Sequence, residues 1–153
     1  MGLLLGTRYR GTEQEERAFN ALIKLVRAAE AVTSATRGVF SAVALTESQF
    51  GVLEVLYHLG PRCQGEIGRK ILKTGGNMTM VIDNLEKRRF VKRQRDWKDR
   101  RYITVYLTEE GKKLIEEILP AHMEGIVREM NRLSPAEQDE LGRLCEKLGQ
   151  TKT

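Results

Sequence analysis

Apolar residues recur at three- and four-residue intervals from about Gln14 to Ala44, at Phe19, Leu22, Ile23, Val26, Ala29, Val32, Phe40 and Val43, with no proline among them. That spacing predicts one amphipathic helix. Its 31 residues would span roughly 46 Å, against a radius of gyration of about 15 Å for a compact chain of this size. The helix therefore predicts an elongated shape or a partner subunit, with a kink near Gly38. A second helix is announced by Thr46-Glu47-Ser48-Gln49, a capping box in which the threonine hydroxyl and the glutamine amide meet free backbone N–H groups. Phe50, Leu53, Leu56 and Tyr57 form its apolar stripe, and Gly60-Pro61 ends it. A third, from about Cys63 to Lys73, has Cys63 in the N-cap place, Glu66 three positions on, and Ile67 and Ile71 facing the core. Gly68 between them predicts a close approach by another helix.

A fourth helix, beginning within Thr74–Asn77 and ending near Arg88, carries Met78, Val81, Ile82 and Leu85 on one face. Gly76, Asn77, Met80, Asn84 and Lys87 lie opposite, with Thr79 at the edge. Small residues, amides and a cation on an exposed helix face suit insertion into a groove. The period then changes to two, so that Phe90–Arg95 and Tyr102–Leu107 read as strands joined by Asp96-Trp97-Lys98-Asp99. Thr108 caps a fifth helix, which contains Pro120 and should kink there. Ser134-Pro135-Ala136-Glu137 starts a sixth with Leu141, Leu144 and Leu148 as its stripe. The fold class predicted is mostly α with a small β-hairpin wing. It is a winged helix–turn–helix over residues 45–107, with N-terminal (1–44) and C-terminal (108–153) helices too apolar to stand alone, which would build a dimer as one intertwined fold.

Composition narrows the function. The chain has 153 residues, 41% hydrophobic and 31% charged, a globular balance. No stretch approaches the roughly 20 apolar residues of a membrane span, and Met1–Gly6 is too short an apolar start for a signal sequence. Two cysteines, Cys63 and Cys145, make no disulfide framework. The expectation is a cytoplasmic protein without a membrane partner. The net charge of +5 conceals a sharp imbalance: residues 87–102 carry nine basic groups against Asp96 and Asp99, whereas residues 103–153 sum to −3. Nine cations in one short strip repel each other, and a polyanion is the partner that such a strip fits.

The residues also resemble a known family, the MarR transcription regulators. The likeness is carried by Leu45-Thr46-Glu47-Ser48-Gln49-Phe50, Glu66-Ile67-Gly68, Met78-Thr79 with Val81-Ile82-Asp83, Leu85-Glu86-Lys87-Arg88, Asp99-Arg100-Arg101, Leu107–Gly111 and Leu133–Gln138. It implies a homodimer on a pseudo-palindromic double-stranded DNA, with a recognition helix in each major groove and a wing at the adjacent minor groove. By that likeness Asp99 orients Arg101 into the minor groove. Asn77, Thr79, Met80 and Asn84, beside Gly76, are placed for base edges. Lys87, Arg88, Arg93 and Arg95, with Lys98 and Arg100 on the wing, are read as phosphate contacts. The sequence departs from the family at Arg89, where glycine is usual, so this helix end is expected to differ. Trp97 at the wing turn either packs on the wing's own stems or lies against the DNA backbone.

The resemblance further implies repression relieved by a small phenolic or aromatic ligand, with Phe40, Tyr57, His58 and Met123 either facing such a cleft or filling the core. The alternatives are a constitutive DNA binder without effector, and a thiol-based regulator using Cys63 at a helix start beside Arg62. No phosphate loop or nucleophile elbow points to an enzyme, and no cofactor is implied. With only His58 and His122 and no C-x-x-C or H-E-x-x-H, no metal site is expected.

Overall fold

Thr46 accepts a hydrogen bond from the Gln49 backbone N–H (3.1 Å), and the Gln49 side chain returns one from the Thr46 N–H (2.9 Å). This capping box starts α3 (Glu47–Leu59), and Gly60, at φ 76°, ends it. The computed structural model describes residues 9–71 and 77–149. In chain order it contains α1 (Glu13–Thr36), α2 (Gly38–Ser41), α3, β1 (Arg62–Cys63), α4 (Gln64–Lys70), α5 (Met78–Lys87), β2 (Val91–Arg95), β3 (Ile103–Leu107), α6 (Glu109–Met130) and α7 (Pro135–Gly149). The helical span expected over 14–44 is thus interrupted at Arg37. Thr33, Ser34 and Thr36 turn their hydroxyls back onto carbonyls of the preceding turn, which competes with the helical ladder, and Gly38 follows. Pro120 lies inside α6, which runs from Glu109 to Met130.

Packing divides the chain into two compact units. One is residues 37–124; the other comprises the described parts of 1–36 and 125–153. The first is the winged helix–turn–helix, and its core is one cluster in which Val52, Leu53, Ile67, Ile82, Leu85, Val91, Val105 and Ile115 are sealed from solvent. It is wider than residues 45–107, because Phe40 ahead of α3 and Ile115 and Ile118 of α6 join the same cluster. The hairpin appears as expected, with Val91 opposite Leu107 and Arg95 opposite Ile103. A third strand was not foreseen: β1 pairs antiparallel with β3, giving the order β1-β3-β2. Two residues are too few to leave a readable alternation.

Gly68 does not make the close helix crossing expected of it, since a Cβ there would meet nothing within 4 Å. That role falls to Gly51 in α3, where an added Cβ would lie 3.3 Å from the Ile71 side chain. The end of α5 also keeps the shape that glycine would favour, although arginine occupies it. Arg89 sits at φ 63°, its N–H donates to the Glu86 carbonyl (2.9 Å), and the Phe90 N–H donates to Leu85 (3.0 Å). This pair of bonds is the Schellman helix end. A left-handed arginine costs about 1 kcal/mol or more. Arg89→Gly is therefore expected to raise stability by about 1 kcal/mol, a rise in Tm of about 2–4 °C. A calorimetric scan that finds it neutral or destabilised would refute the strain.

The second unit buries little by itself. Along α1, Phe19, Leu22 and Val26 are exposed, as are Val127 and the α7 stripe Leu141, Leu144 and Leu148. Cys145 is exposed on α7 rather than packed. Among the described residues no helix is long and apolar enough to cross a membrane.

Candidate nucleic-acid interface

Asn77 caps α5: its side-chain oxygen accepts from the Thr79 N–H at 3.1 Å. The first turn is tied to α4 by Gln64, whose amide donates to the Thr79 hydroxyl at 2.7 Å. With Ile82 and Leu85 buried beneath, α5 turns Asn77, Met80, Asn84 and Lys87 outward, and Thr79 and Arg88 are exposed beside them. Met80 is 60% exposed, unusual for a residue of its size without a partner. The expected groove-facing stripe is therefore on one surface. Gly76, also assigned to it from sequence, lies outside the described residues. The capping bond takes one of the two lone pairs of the Asn77 oxygen, so helix capping and a base contact draw on the same group.

Two arginines read as phosphate contacts have other work. Arg93 stands directly across from Val105 and, two residues from Val91, shares its inward face. Its guanidinium reaches Asp83 at 2.6 Å and Glu86 at 2.9 Å, and donates to the Thr79 carbonyl at 3.4 Å. It is a strut between wing and recognition helix. Arg88 donates to the carbonyls of Ala44 (2.6 Å) and Val43 (3.1 Å) and lies over the Phe90 ring. Ala44 has φ 53°, so Arg88 satisfies carbonyls at a strained turn. Both guanidiniums are thus tied to protein acceptors, Arg93 to two carboxylates and a carbonyl and Arg88 to two carbonyls, which gives each a structural role that the charge strip does not reveal.

The wing tip is built from two aspartates. Asp96 accepts from the N–H groups of Lys98 (2.7 Å) and Asp99 (3.2 Å), fixing the turn. Asp99 accepts from the Arg101 backbone N–H (3.0 Å), Nε (3.0 Å) and Nη2 (2.8 Å). Arg101's side-chain bonds, then its backbone N–H, hold the Asp99 carboxyl below its usual range, and the same contact raises Arg101. The Arg101 side chain is nonetheless 88% exposed. Arg95, Lys98 and Arg100 are exposed around it, and Trp97 is 84% exposed, so its ring is not buried against the stems.

The four residues proposed for a ligand cleft do not share one environment. Phe40 is in the core, stacked on Phe50 at 4.2 Å between ring centroids. Tyr57 is half-buried and its hydroxyl donates to Glu116 (3.3 Å), while His58 is exposed and Met123 nearly half-exposed. Phe40 thus takes the core role. His122 packs as a structural group: its ring lies against Phe40 (4.9 Å) and Phe50 (4.8 Å), with a buried Nδ1 that has no hydrogen-bond partner among the described residues. Burial lowers its pKa, partly opposed by Glu54. Nothing in the local sequence marks it, because its surroundings come from α2 and α3. Cys63, half-buried, donates its N–H to Glu66 (3.0 Å) as the N-cap of α4.

The sequence profile of the SarA/Rot transcriptional regulators matches residues 38–118. The helix–turn–helix transcriptional regulator YkoM of Bacillus subtilis is 37% identical over 137 residues, spanning 90% of this chain and 89% of that protein. Among solved structures, BpsR of Bordetella bronchiseptica, whose DNA binding is regulated by 6-hydroxynicotinic acid, superposes with a TM-score of 0.77 at 25% identity, covering 86% of this chain and 99% of that one. The MarR family regulator Sco3205 of Streptomyces coelicolor, solved in complex with DNA, has the same fold at a TM-score of 0.77 and 21% identity, covering 92% and 89% of the two chains.

Proposed function

The chain belongs to the MarR family of winged helix–turn–helix, DNA-binding transcription regulators, and from that premise we propose that it is a homodimeric repressor of a pseudo-palindromic operator, released by a small aromatic ligand. The observation that carries the DNA contact is the Asp99–Arg101 fork: an exposed guanidinium held in one orientation at the wing tip. A narrow, A·T-rich minor groove concentrates negative potential and favours such a group. The outward stripe of α5, Asn77, Thr79, Met80, Asn84 and Lys87, reads base edges in the major groove, while Arg95, Lys98 and Arg100 meet phosphates. The exposed apolar stripes of α1 and α7 support burial against a second copy. Two such copies would set their recognition helices about 34–36 Å apart, one turn of DNA.

Ligand release is supported by the regulated DNA binding of BpsR. The ligand must bind the DNA-competent and released states unequally, or it shifts nothing. Arg88 offers a physical route, since it joins the end of α5 to the Val43 and Ala44 carbonyls just beyond Phe40.

The test is Arg101→Ala. Operator affinity should weaken by about 1–3 kcal/mol, with an unchanged melting temperature because the side chain is exposed. Unaltered affinity in a fluorescence-anisotropy titration would remove the wing from the interface.

A further inference from the structure

We propose that Trp97 is a second, sequence-neutral DNA contact of the wing: its indole lies against a deoxyribose of the backbone and anchors the wing while Arg101 reads the groove. The inference rests on the DNA-bound wing proposed above. Three observations carry it. Trp97 is the most exposed of the large apolar side chains described, at 84%. An exposed indole presents a large, rigid apolar face with a polar edge, the kind of group that a partner surface can cover. The turn that presents it is fixed, because Asp96 holds the Lys98 and Asp99 N–H groups. The ring is also set among cations. The Lys98 ammonium lies 5.0 Å from its centroid, and Arg95 and Asp96 join it around a recess of about 160 Å³ with Gln94, Thr104 and Tyr106.

An apolar ring bordered by cations matches one polyanion surface in particular. Along DNA, the sugars are apolar faces at regular intervals between phosphates. A single indole beside Lys98 and Arg95 can cover one sugar while the cations meet the phosphates on either side. Such a contact carries no base information, so its loss weakens all duplexes alike. It also releases no counterions, so it leaves the salt dependence untouched. An anionic membrane is the competing partner, but an interfacial segment needs a broad apolar face, and the wing tip exposes only two aromatic rings, Trp97 and Tyr102, among charged residues.

Trp97 is the only tryptophan in the chain, so its emission reports on this one site. The full-length protein is titrated with sonicated genomic duplex DNA at about 50 mM salt, with binding followed separately by gel mobility. The expected result is a blue-shifted emission and protection from acrylamide quenching in step with the mobility shift. Trp97→Ala should bind about fivefold more weakly with the same slope against salt, and Trp97→Phe should bind close to wild type. A mobility shift without change in emission or quenching overturns the contact and leaves the DNA-binding reading standing. Emission that responds to phosphatidylglycerol vesicles and not to DNA overturns it in favour of a membrane. Failure to bind DNA by either readout overturns both.

Discussion

Gly111→Ala is expected to lower stability by about 3 kcal/mol or more, toward the upper end of overpacking costs, and so to remove a large part of the 5–15 kcal/mol typical of a folded domain. A Cβ on Gly111 would sit 2.1 Å from the Phe90 carbonyl oxygen and 2.9 Å from the Leu107 side chain. The obstacle is backbone, and it cannot swing aside. The Phe90 carbonyl already accepts the Thr108 N–H (3.1 Å), and the Thr108 hydroxyl donates to the Arg89 carbonyl (2.6 Å) while accepting from the Gly111 N–H (3.1 Å). Moving Phe90 would therefore disturb the end of α5, the start of β2 and the cap of α6 together. Alanine's better helix propensity returns only about 1 kcal/mol, so the net effect remains a loss. Gly68→Ala is the control, because open space surrounds that position and only the propensity gain applies. Denaturant titration should separate the two variants by several kcal/mol (about 3–4); equal midpoints would mean that the Phe90–Thr108–Gly111 junction yields.

Operator affinity is expected to fall about 10³–10⁵-fold between about 50 and 200 mM salt, if the dimer neutralises about eight phosphates. Besides Arg88, the exposed cations of the strip are Lys87, Arg89, Lys92, Arg95, Lys98, Arg100 and Arg101, so about four phosphate contacts per copy suffice for that slope. Arg88 and Arg93 are excluded from the count by their internal partners. Lys98→Ala should then lower the slope of log affinity against log salt by about 1. Arg88→Ala should leave the slope unchanged while destabilising the fold, since it strips the Val43 and Ala44 carbonyls of their donor. A slope lowered equally by both variants would return Arg88 to the interface.

Arg93 and Trp97 mark how far a sequence reading reaches. In the charge strip, Arg88, Arg93, Arg95 and Arg101 are equivalent symbols. The two-residue period of β2 does separate Arg93 from its neighbours, because it puts Arg93 on the face of the buried Val91. The density of charge in the strip masks that alternation. For Arg88 no such clue exists, because its acceptors lie 44 and 45 residues away in the chain. Trp97 was open in both directions, since a tryptophan at a turn is equally able to fold back or to stand out.

What the sequence determined by itself was everything set within a turn or two of the chain. This covers the caps at Thr46, Cys63 and Ser134, the outward stripe of α5, the hairpin, and the concentration of cations on the wing. These follow from local sterics, hydrogen-bond capping and periodicity, which act over a few residues. Only the tertiary structure decided which cations are tied down inside the protein, that a Cβ is crowded at Gly51 and Gly111 but not at Gly68, that β1 adds a third strand, and that His122 is buried beside Phe40. Each of those depends on a partner brought from a distant part of the chain, and packing chooses that partner by shape and by the need to satisfy buried polar groups.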